Sequence, residues 1–203
     1  MIAIIDYGMG NIHSVNKALQ LFGAKTITTS QAKELKDCEK IVLPGVGAFA
    51  DAMKELEAKE LVTALKAEIK KKKPFLGICL GMQLLFQESE EASKCKGLGI
   101  LRGGVKRFPD KAGLKIPHMG WNQLQGRLKD CPLLKGVPDE AFFYFCHSYY
   151  PQPSDAEVSA ALTDYGIKFS SVVWQDNTYG VQFHPEKSQK AGLKIIENFV
   201  KAC

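Results

Sequence analysis

Residues 75–83, Phe-Leu-Gly-Ile-Cys-Leu-Gly-Met-Gln, decide how this chain folds. An apolar run follows Pro74, and a cysteine then lies between two glycines, before a pattern typical of a helix. The spacing from Gly77 to Gly81 is that of a nucleophile elbow, a sharp turn from a strand into a helix, with a thiol as the nucleophile. The glycines let neighbouring backbone approach without a Cβ clash, and a helix N-terminus favours thiolate over thiol. The segment therefore predicts that Cys79 is a catalytic nucleophile rather than a packing residue.

The composition is that of a globular protein, and its length fits one domain over residues 1–203. Hydrophobic residues make up 45% of the chain, yet no apolar stretch reaches the roughly 18–20 residues of a membrane span. The six cysteines form no C-x-x-C pair and share no ligand spacing with the four histidines, so we expect a reducing, cytoplasmic location and no metal. The net charge of +5 is mild, and the lysine run 70–73 suits a solvated helix end, so we expect neither nucleic acid nor a membrane as partner.

Residues 8–11, Gly-Met-Gly-Asn, superficially suggest a dinucleotide-binding loop. His13 occupies the place of the third glycine in the G-x-G-x-x-G pattern, so the pattern is incomplete. We expect instead a tight strand-to-helix turn with Asn11 near the helix cap, and no bound cofactor.

Strand-like and helix-like segments alternate in the first half of the chain. Short apolar runs at residues 2–5, 40–43 and 75–78 are separated by helically spaced apolar residues over 12–22 and 48–72. Because the runs are continuously apolar, they predict an open, mostly parallel, twisted α/β sheet with helices on both faces. After about residue 97 the chain is β-rich, which predicts a mixed sheet with hairpins and a closing helix. The segments in question are 99–107, 114–124, 141–147, 157–162, 167–174 and 178–183, with the helix at 191–200.

A second segment, residues 182–186, supplies a base for the thiol. His184 and Glu186 are two residues apart, hence on one side of an extended segment, and Pro185 between them stiffens it. A carboxylate beside an imidazole fixes its tautomer and stabilises the imidazolium that forms after proton transfer. On its own this tripeptide fits a surface histidine equally well, but in a chain with a nucleophile elbow it predicts a Cys79–His184–Glu186 triad.

Residues 44–47, Pro-Gly-Val-Gly, follow an apolar strand-like run. Two glycines allow backbone N–H groups to turn toward a ligand, as an oxyanion hole requires. Because parallel strands end at the same sheet edge, we expect this segment to lie near Cys79. The N–H of Leu80, at the start of the elbow helix, is the second candidate donor, and an ordinary strand-to-helix turn is the alternative interpretation of 44–47.

Together these motifs resemble the class I (triad) glutamine amidotransferases, through residues 44–47, 77–83 and 184–186. More narrowly, the chain is similar to the family of glutaminase subunits of imidazole glycerol phosphate synthase. The narrower resemblance rests on four segments that follow the order of that family along nearly the whole chain, namely 5–11, 117–122, 145–149 and 182–188.

The resemblance implies that L-glutamine is hydrolysed to glutamate and ammonia through a cysteinyl thioester on Cys79. His184, oriented by Glu186, would take the thiol proton. His118 and His147 would be structural or substrate-lining, because His184 already has its carboxylate. The remaining implied residues are Val46, Gly47 and Leu80 for the oxyanion, and Gln83, His147, Ser148 and Tyr149 for glutamine.

The resemblance also implies a heterodimer with a (β/α)₈-barrel cyclase subunit, which uses the ammonia to form imidazole glycerol phosphate in L-histidine biosynthesis. Glutaminase activity would be weak until the barrel is docked and liganded, with residues 44–47 as a switch. The residues expected to meet the barrel are Asn11, Met119, Trp121, Tyr144 and Lys187. For Met119 and Trp121 a core position is an equally good interpretation of the sequence.

Three other functions fit parts of the pattern. A stand-alone cysteine hydrolase of γ-glutamyl peptides would use the same triad without a partner. A catalytically silent regulatory subunit would not need the complete Cys-His-Glu set. A related glutaminase could instead supply ammonia for sugar-nucleotide amination in glycan synthesis. The identity of the synthase partner would distinguish this pathway from histidine biosynthesis.

Overall fold

Twelve β-strands and five α-helices make up the described chain, residues 1–110 and 113–203 of a computed structural model. Short 3₁₀ segments lie between several of them. The strands are β1 (Ile2–Ile5), β2 (Thr26–Thr29), β3 (Lys40–Gly45), β4 (Phe75–Cys79), β5 (Glu88–Ser89), β6 (Gly103–Arg107), β7 (His118–Gln123), β8 (Phe142–His147), β9 (Tyr149–Pro153), β10 (Ser159–Asp164), β11 (Lys168–Gln175) and β12 (Thr178–Val181). The helices are α1 (Ile12–Gln20), α2 (Phe49–Ala58), α3 (Leu61–Lys70), α4 (Leu80–Gln83) and α5 (Gln189–Lys201).

The largest sheet contains seven of the described strands, in the order β10-β11-β12-β4-β3-β1-β2. Neighbouring strands from β12 to β2 run parallel, whereas β10, β11 and β12 pair antiparallel. The remaining strands form two small sheets, β5-β6-β9 and β7-β8, and all of these strands except β5 lie in the second half of the chain. The mostly parallel α/β sheet and the β-rich second half expected from the sequence are therefore confirmed.

Each face of the large sheet carries its own apolar core. Ile4 of β1 packs on one face with Leu19 of α1 and Ile195 of α5. Ile5 turns to the other face, in the cluster that includes Leu65 of α3. Because successive strand residues point to opposite faces, burial of both faces explains why the central strands are apolar at every position.

The helical segment expected over residues 48–72 is two helices, α2 and α3, instead of one. Glu60 between them adopts φ 56°, in the left-handed region that interrupts a right-handed helix. Leu56 and Leu61, on either side of the break, are both fully buried. On one straight helix these two residues would lie about 140° apart around the axis, so the break allows both to face the core.

Three strands are absent from the sequence expectation: β2, β9 and the two-residue strand β5. The first, Thr-Ile-Thr-Thr, forms one edge of the large sheet, and the second, which contains Pro151 and Pro153, forms an edge of the small three-stranded sheet. Edge strands tolerate proline and partly exposed polar residues because one side of their ladder is unpaired. Such strands carry no continuous apolar run, which is the signal that revealed the central strands.

The close approach of β4, α4 and β3 gives a direct test of the fold. A Cβ atom on Gly81 would overlap the carbonyl oxygen of Leu43, which is backbone and cannot move aside. We expect Gly81→Ala to lower the free energy of unfolding in urea by about 2–4 kcal/mol, as severe overpacking does. Gly104→Ala is the matched control, because a Cβ there would make only ordinary contacts with Glu88, at 3.4 Å from its side chain and 3.5 Å from its carbonyl oxygen. Equal stability of the two variants would contradict the observed packing at the elbow.

Candidate active site

Cys79 occupies a strained position at the junction of β4 and α4. Its backbone adopts φ 54° and ψ −108°, a combination that costs a non-glycine residue roughly 1–3 kcal/mol. A Cβ on Gly77 would lie 2.5 Å from the carbonyl oxygen of Gly81, so glycine is required for the strand and the helix to approach this closely. The elbow expected from the spacing 77–81 is present, and it directs the thiol toward a pocket at the carboxyl edge of the sheet.

The helix that follows the elbow is shorter than the sequence suggests. α4 contains only the four residues Leu80–Gln83, and the next carbonyl groups bond elsewhere in the chain. Leu98 donates its N–H to the carbonyl of Leu84 (2.8 Å), and Ile100 donates to that of Leu85 (2.9 Å). The helix N-terminus expected at Cys79 is present, but a single helical turn carries little macrodipole. Local groups around the sulfur provide its electrostatic environment instead.

The structure brings Cys79, His184 and Glu186 together. His184 Nδ1 lies 3.0 Å from Glu186 Oε1, and the Cys79 sulfur lies close enough to the imidazole to raise the pKa of His184. The side chains of His184 and Glu186 are only 4% and 1% exposed. Glu186 Oε2 has no hydrogen-bond partner among the described residues. Within the described chain, the carboxylate therefore bonds only the His184 imidazole, through Oε1.

The charges in this cluster determine the protonation of His184. Burial by itself lowers the pKa of His184, but the hydrogen bonds and charges of Cys79 and Glu186 outweigh burial and raise that pKa to about 10. The imidazole therefore carries a proton at neutral pH. A cationic imidazole in contact with a cysteine sulfur is the arrangement of an activated thiol nucleophile.

A pocket of about 320 Å³ opens above Cys79. Its size suits a small amino-acid substrate better than a peptide chain. The pocket collects the residues that the sequence assigned to catalysis and glutamine binding, apart from Glu186 behind His184, namely Val46, Gly47, Cys79, Leu80, Gln83, His147, Ser148, Tyr149 and His184.

Gln83 is joined to Cys79 through Gln182, a residue to which the sequence assigned no role. The side-chain amide of Gln83 donates to the carbonyl of Tyr149 (2.9 Å) and to Gln182 Oε1 (3.1 Å). Gln182 in turn directs its Nε2 to the Cys79 sulfur at 3.6 Å. Gln182 directly follows β12, whose Val181 pairs with Ile78, and this register places it beside the elbow. The protein itself therefore uses both Gln83 amide donors.

His118 and His147 form a buried pair beside the pocket. His118 Nδ1 lies 3.1 Å from His147 Nε2, and His147 Nδ1 lies 2.8 Å from the carbonyl oxygen of Tyr149. Burial lowers the pKa of His118 to about 4 and, as the largest contribution, that of His147 to about 3. Both rings are therefore neutral at pH 7. The contacts are satisfied when His147 donates to the Tyr149 carbonyl and accepts from His118.

Ser188 attaches His184 to β8. Its hydroxyl donates to the carbonyl of His184 (2.6 Å) and accepts from the N–H of Tyr144 (2.9 Å). His184 also donates its N–H to the Tyr144 carbonyl (2.9 Å). The sequence contains no signal for this role, because Tyr144 and Ser188 are 44 residues apart.

Glu91 is a second pocket residue that the sequence did not reveal. Its carboxylate accepts the backbone N–H of Phe49 at the start of α2 (2.8 Å) and lines the pocket. α2 follows the 44–47 segment directly, so this bond fixes the end of that segment. Glu91 lies in an irregular stretch with no periodic pattern, which leaves nothing in the sequence to single it out.

The residues expected to face a partner lie mostly near the pocket mouth. Met119 and Trp121 are 61% and 46% exposed, so the core interpretation of these two is wrong. The Trp121 ring lies edge-on to Tyr144 with centroids 6.0 Å apart, and Lys187 Nζ lies 5.9 Å from the Tyr144 ring centre. Tyr144 and Lys187 also line the pocket. Asn11 lies outside that lining and accepts the N–H of Ser14 as the cap of α1, as expected.

Two features are absent from residues 1–110 and 113–203. No helix in these ranges has the length and apolar character needed to cross a membrane. These ranges also contain no group of three or more His, Cys, Asp or Glu side chains arranged to bind a metal ion.

Comparison with known proteins identifies the class. Residues 3–203 match the family model described as "Glutamine amidotransferase class-I". The chain therefore belongs to the class-I glutamine amidotransferase family, as the motifs indicated. Two solved structures share the fold, each with a TM-score of 0.76: "Crystal structure of glutamine amidotransferase" (16% identity, 98% of this chain and 99% of that one) and "Structure of PurLQS from Thermotoga maritima" (17% identity, 98% and 96%).

Curated relatives narrow the assignment. The chain is 54% identical over 201 residues to "Imidazole glycerol phosphate synthase subunit HisH" of Desulfitobacterium hafniense (strain DSM 10664 / DCB-2), covering 99% of this chain and 94% of the relative. It is 50% identical over 202 residues to the subunit of the same name in Methanocaldococcus jannaschii, covering 99% of each. Within its class, the chain thus belongs to the family of HisH subunits.

The charge on His184 leads to a prediction for Glu186→Gln. The imidazolium contributes stability that is complete below its ordinary pKa of 6.5 and is lost as pH rises through about 10. Removing the carboxylate charge lowers the pKa of His184, and we expect a decrease of about one unit or more. An NMR pH titration of the His184 ring proton, assigned with His184→Ala, measures this pKa.

Glu197→Gln is the matched control for that titration. Glu197 pairs with Lys194 and Lys201 on α5 and leaves the pocket untouched. We expect it to preserve the wild-type midpoint. A wild-type midpoint in Glu186→Gln would show that the carboxylate does not set the charge of the imidazole.

The role of Ser188 can be tested by Ser188→Ala. The variant leaves the Tyr144 N–H and the His184 carbonyl without this hydroxyl, which costs about 1–3 kcal/mol of stability. Because His184 is then less well fixed, we expect alkylation of Cys79 by iodoacetamide, located by peptide mass spectrometry, to slow about tenfold. Ser171→Ala removes a comparable buried bond to the Ala161 carbonyl and should leave alkylation unchanged. Equal alkylation rates in the two variants would contradict the positioning role.

Proposed function

We propose that residues 1–203 form one amidotransferase domain that hydrolyses L-glutamine to glutamate and ammonia. The chain is the glutaminase subunit of imidazole glycerol phosphate synthase in L-histidine biosynthesis, in which a cyclase subunit uses the ammonia. The observation that carries the chemistry is the contact of Cys79 with a His184 imidazole that Glu186 orients at 3.0 Å, below a pocket of about 320 Å³.

The first half of the reaction forms a thioester. The Cys79 sulfur attacks the side-chain carbonyl carbon of glutamine while the proton resides on His184. The tetrahedral intermediate collapses, the C–N bond breaks, and His184 gives its proton to the nitrogen, which leaves as ammonia. Because Glu186 occupies Nδ1, the opposite nitrogen of the ring is the one that serves Cys79 and the leaving group.

The second half returns the enzyme to its starting state. The neutral His184 removes a proton from water, and the resulting hydroxide adds to the thioester carbonyl. Collapse of this second intermediate breaks the C–S bond, releases glutamate and leaves the proton on His184 beside the sulfur. Backbone N–H groups of Val46, Gly47 and Leu80, which border the pocket beside Cys79, are the donors for the oxyanion in both halves.

The pocket offers opposite charges and dipoles to the two ends of the amino acid. The Glu91 carboxylate is a partner for the ammonium group of glutamine, since it lies in the lining and is anchored at Phe49. Backbone groups at His147, Ser148 and Tyr149 serve the carboxylate end. Gln83, whose amide donors are engaged within the protein, positions Tyr149 and presents its own oxygen to the substrate.

The partner is a (β/α)₈-barrel subunit that docks over the pocket mouth as half of a heterodimer. Exposed Met119 and Trp121, with Tyr144 and Lys187 behind them, provide an apolar surface with one cation at the place where ammonia leaves. Large exposed apolar side chains grouped at a pocket mouth are typical of a protein interface. Asn11 lies on the loop that contacts Pro44, where docking can act on the oxyanion segment.

The decisive experiment measures glutamate release by wild type and Cys79→Ala, each with and without the cyclase subunit and its nucleotide. We expect low basal turnover in wild type, strong stimulation by the liganded cyclase, and no turnover in the variant. Cys95→Ala is the matched control, because this partly exposed thiol lies outside the pocket.

Two results would count against the proposal. Full-speed hydrolysis by wild type without the cyclase would indicate a stand-alone γ-glutamyl hydrolase. Turnover that survives in Cys79→Ala would remove the thiol from the mechanism.

A further inference from the structure

Tyr7 carries a buried hydroxyl that the mechanism above does not use. The residue follows β1 and is 0% exposed. Within residues 1–110 and 113–203, no group makes a hydrogen bond with this hydroxyl. Most buried polar groups in native proteins are paired, and an unpaired one is costly, so this hydroxyl needs an explanation.

The hydroxyl lies directly beneath the oxyanion segment. A Cβ on Gly45 would overlap the Tyr7 hydroxyl oxygen, and the same position lies 3.0 Å from the Gly81 nitrogen and from the Leu80 Cβ. Glycine at position 45 thus makes room for the hydroxyl between the end of β3 and the first turn of α4. Tyr7 is not part of the pocket lining, whereas Val46 and Cys79 are, so the hydroxyl approaches the segment from its buried side.

We propose that Tyr7 is a positioning residue for the oxyanion hole, and that its hydroxyl donates a hydrogen bond to the Gly45 carbonyl when the site is ready for catalysis. The proposal rests on the glutaminase function above. A trans peptide places its C=O and N–H on opposite sides of the bond. When the Gly45 carbonyl turns down to the hydroxyl, the N–H of Val46 must turn up toward the pocket.

The chemistry of the hydroxyl fits this role. Burial, followed by the nearby Cys79, raises the pKa of Tyr7, so the hydroxyl keeps its proton and remains a donor. The peptide can turn because Gly45 and Gly47 flank Val46, and Gly47 already adopts φ 104°. The Tyr7 hydroxyl is unpaired in the present arrangement and becomes paired when the Gly45 carbonyl turns toward it. This hydrogen bond therefore favours the arrangement in which the Val46 N–H faces the pocket.

The test compares wild type, Tyr7→Phe and Tyr179→Phe, each assembled with the cyclase subunit. Tyr179 is also buried, at 3% exposed, but lies on β12 in the core of the opposite sheet face. Glutamine-driven kcat and KM are measured with the nucleotide present, and the same samples are driven with ammonium salt in place of glutamine. Thermal unfolding of the free subunit is recorded in parallel.

We expect Tyr7→Phe to lower the glutamine-driven kcat between about tenfold and a hundredfold, because one oxyanion donor is no longer held in place. KM for glutamine should stay within about twofold, since ground-state binding is unaffected. The ammonium-driven rate and the Tm should not fall, because the hydroxyl has no partner among the described residues of the resting protein. Tyr179→Phe should retain the wild-type kcat.

Other outcomes overturn the inference. An unchanged kcat in Tyr7→Phe would show that the hydroxyl does not act on the hole. A fall in Tm would show that the hydroxyl is paired in the resting protein and is structural. Failure of the glutaminase function would give a different result. Wild type would then release no glutamate while ammonium still drove the cyclase, and that result would overturn both the proposed function and the role of Tyr7.

Discussion

The contact between the Cys79 sulfur and the His184 imidazole is the interaction on which the rest of the site depends. Two strands create it, since β4 ends at Cys79 and its parallel neighbour β12 ends just before the segment that carries His184. Burial alone would keep the imidazole neutral, and only the adjacent sulfur and the Glu186 carboxylate reverse that tendency. The strained backbone at Cys79 and the glycines around it serve this contact, because they bring the thiol out at the sheet edge.

The parts of the molecule that the sequence predicts are those with a local signal. The continuous apolar runs predicted the central strands. The residues around Cys79 and His184 predicted that Cys79, His184 and Glu186 lie together, because spacing within one segment determines local geometry. The edge strands β2 and β9 were not predicted, since half-exposed edges carry no apolar run. Ser188 and Glu91 were also not recognised, because their partners Tyr144 and Phe49 are more than 40 residues away.

The environment of the pocket combines a rigid side and an adjustable side. On the rigid side, Gln83 and His147 both bond the carbonyl of Tyr149, and neutral His118 supports the ring of His147. On the other side, glycines flank Val46, and its side chain is 43% exposed. This contrast supports the proposal that a partner at the pocket mouth changes the rate of reaction while the groups proposed to bind substrate remain in place.

The central claim is that the Cys79 sulfur becomes acylated by the side chain of glutamine. Acid quenching of the assembled enzyme during turnover, followed by peptide mass spectrometry, measures this directly. We expect a γ-glutamyl group on the peptide that contains Cys79, and no such group after incubation with glutamate in place of glutamine. Steady turnover with the acyl group on another pocket residue such as Cys146, and none on Cys79, would contradict it.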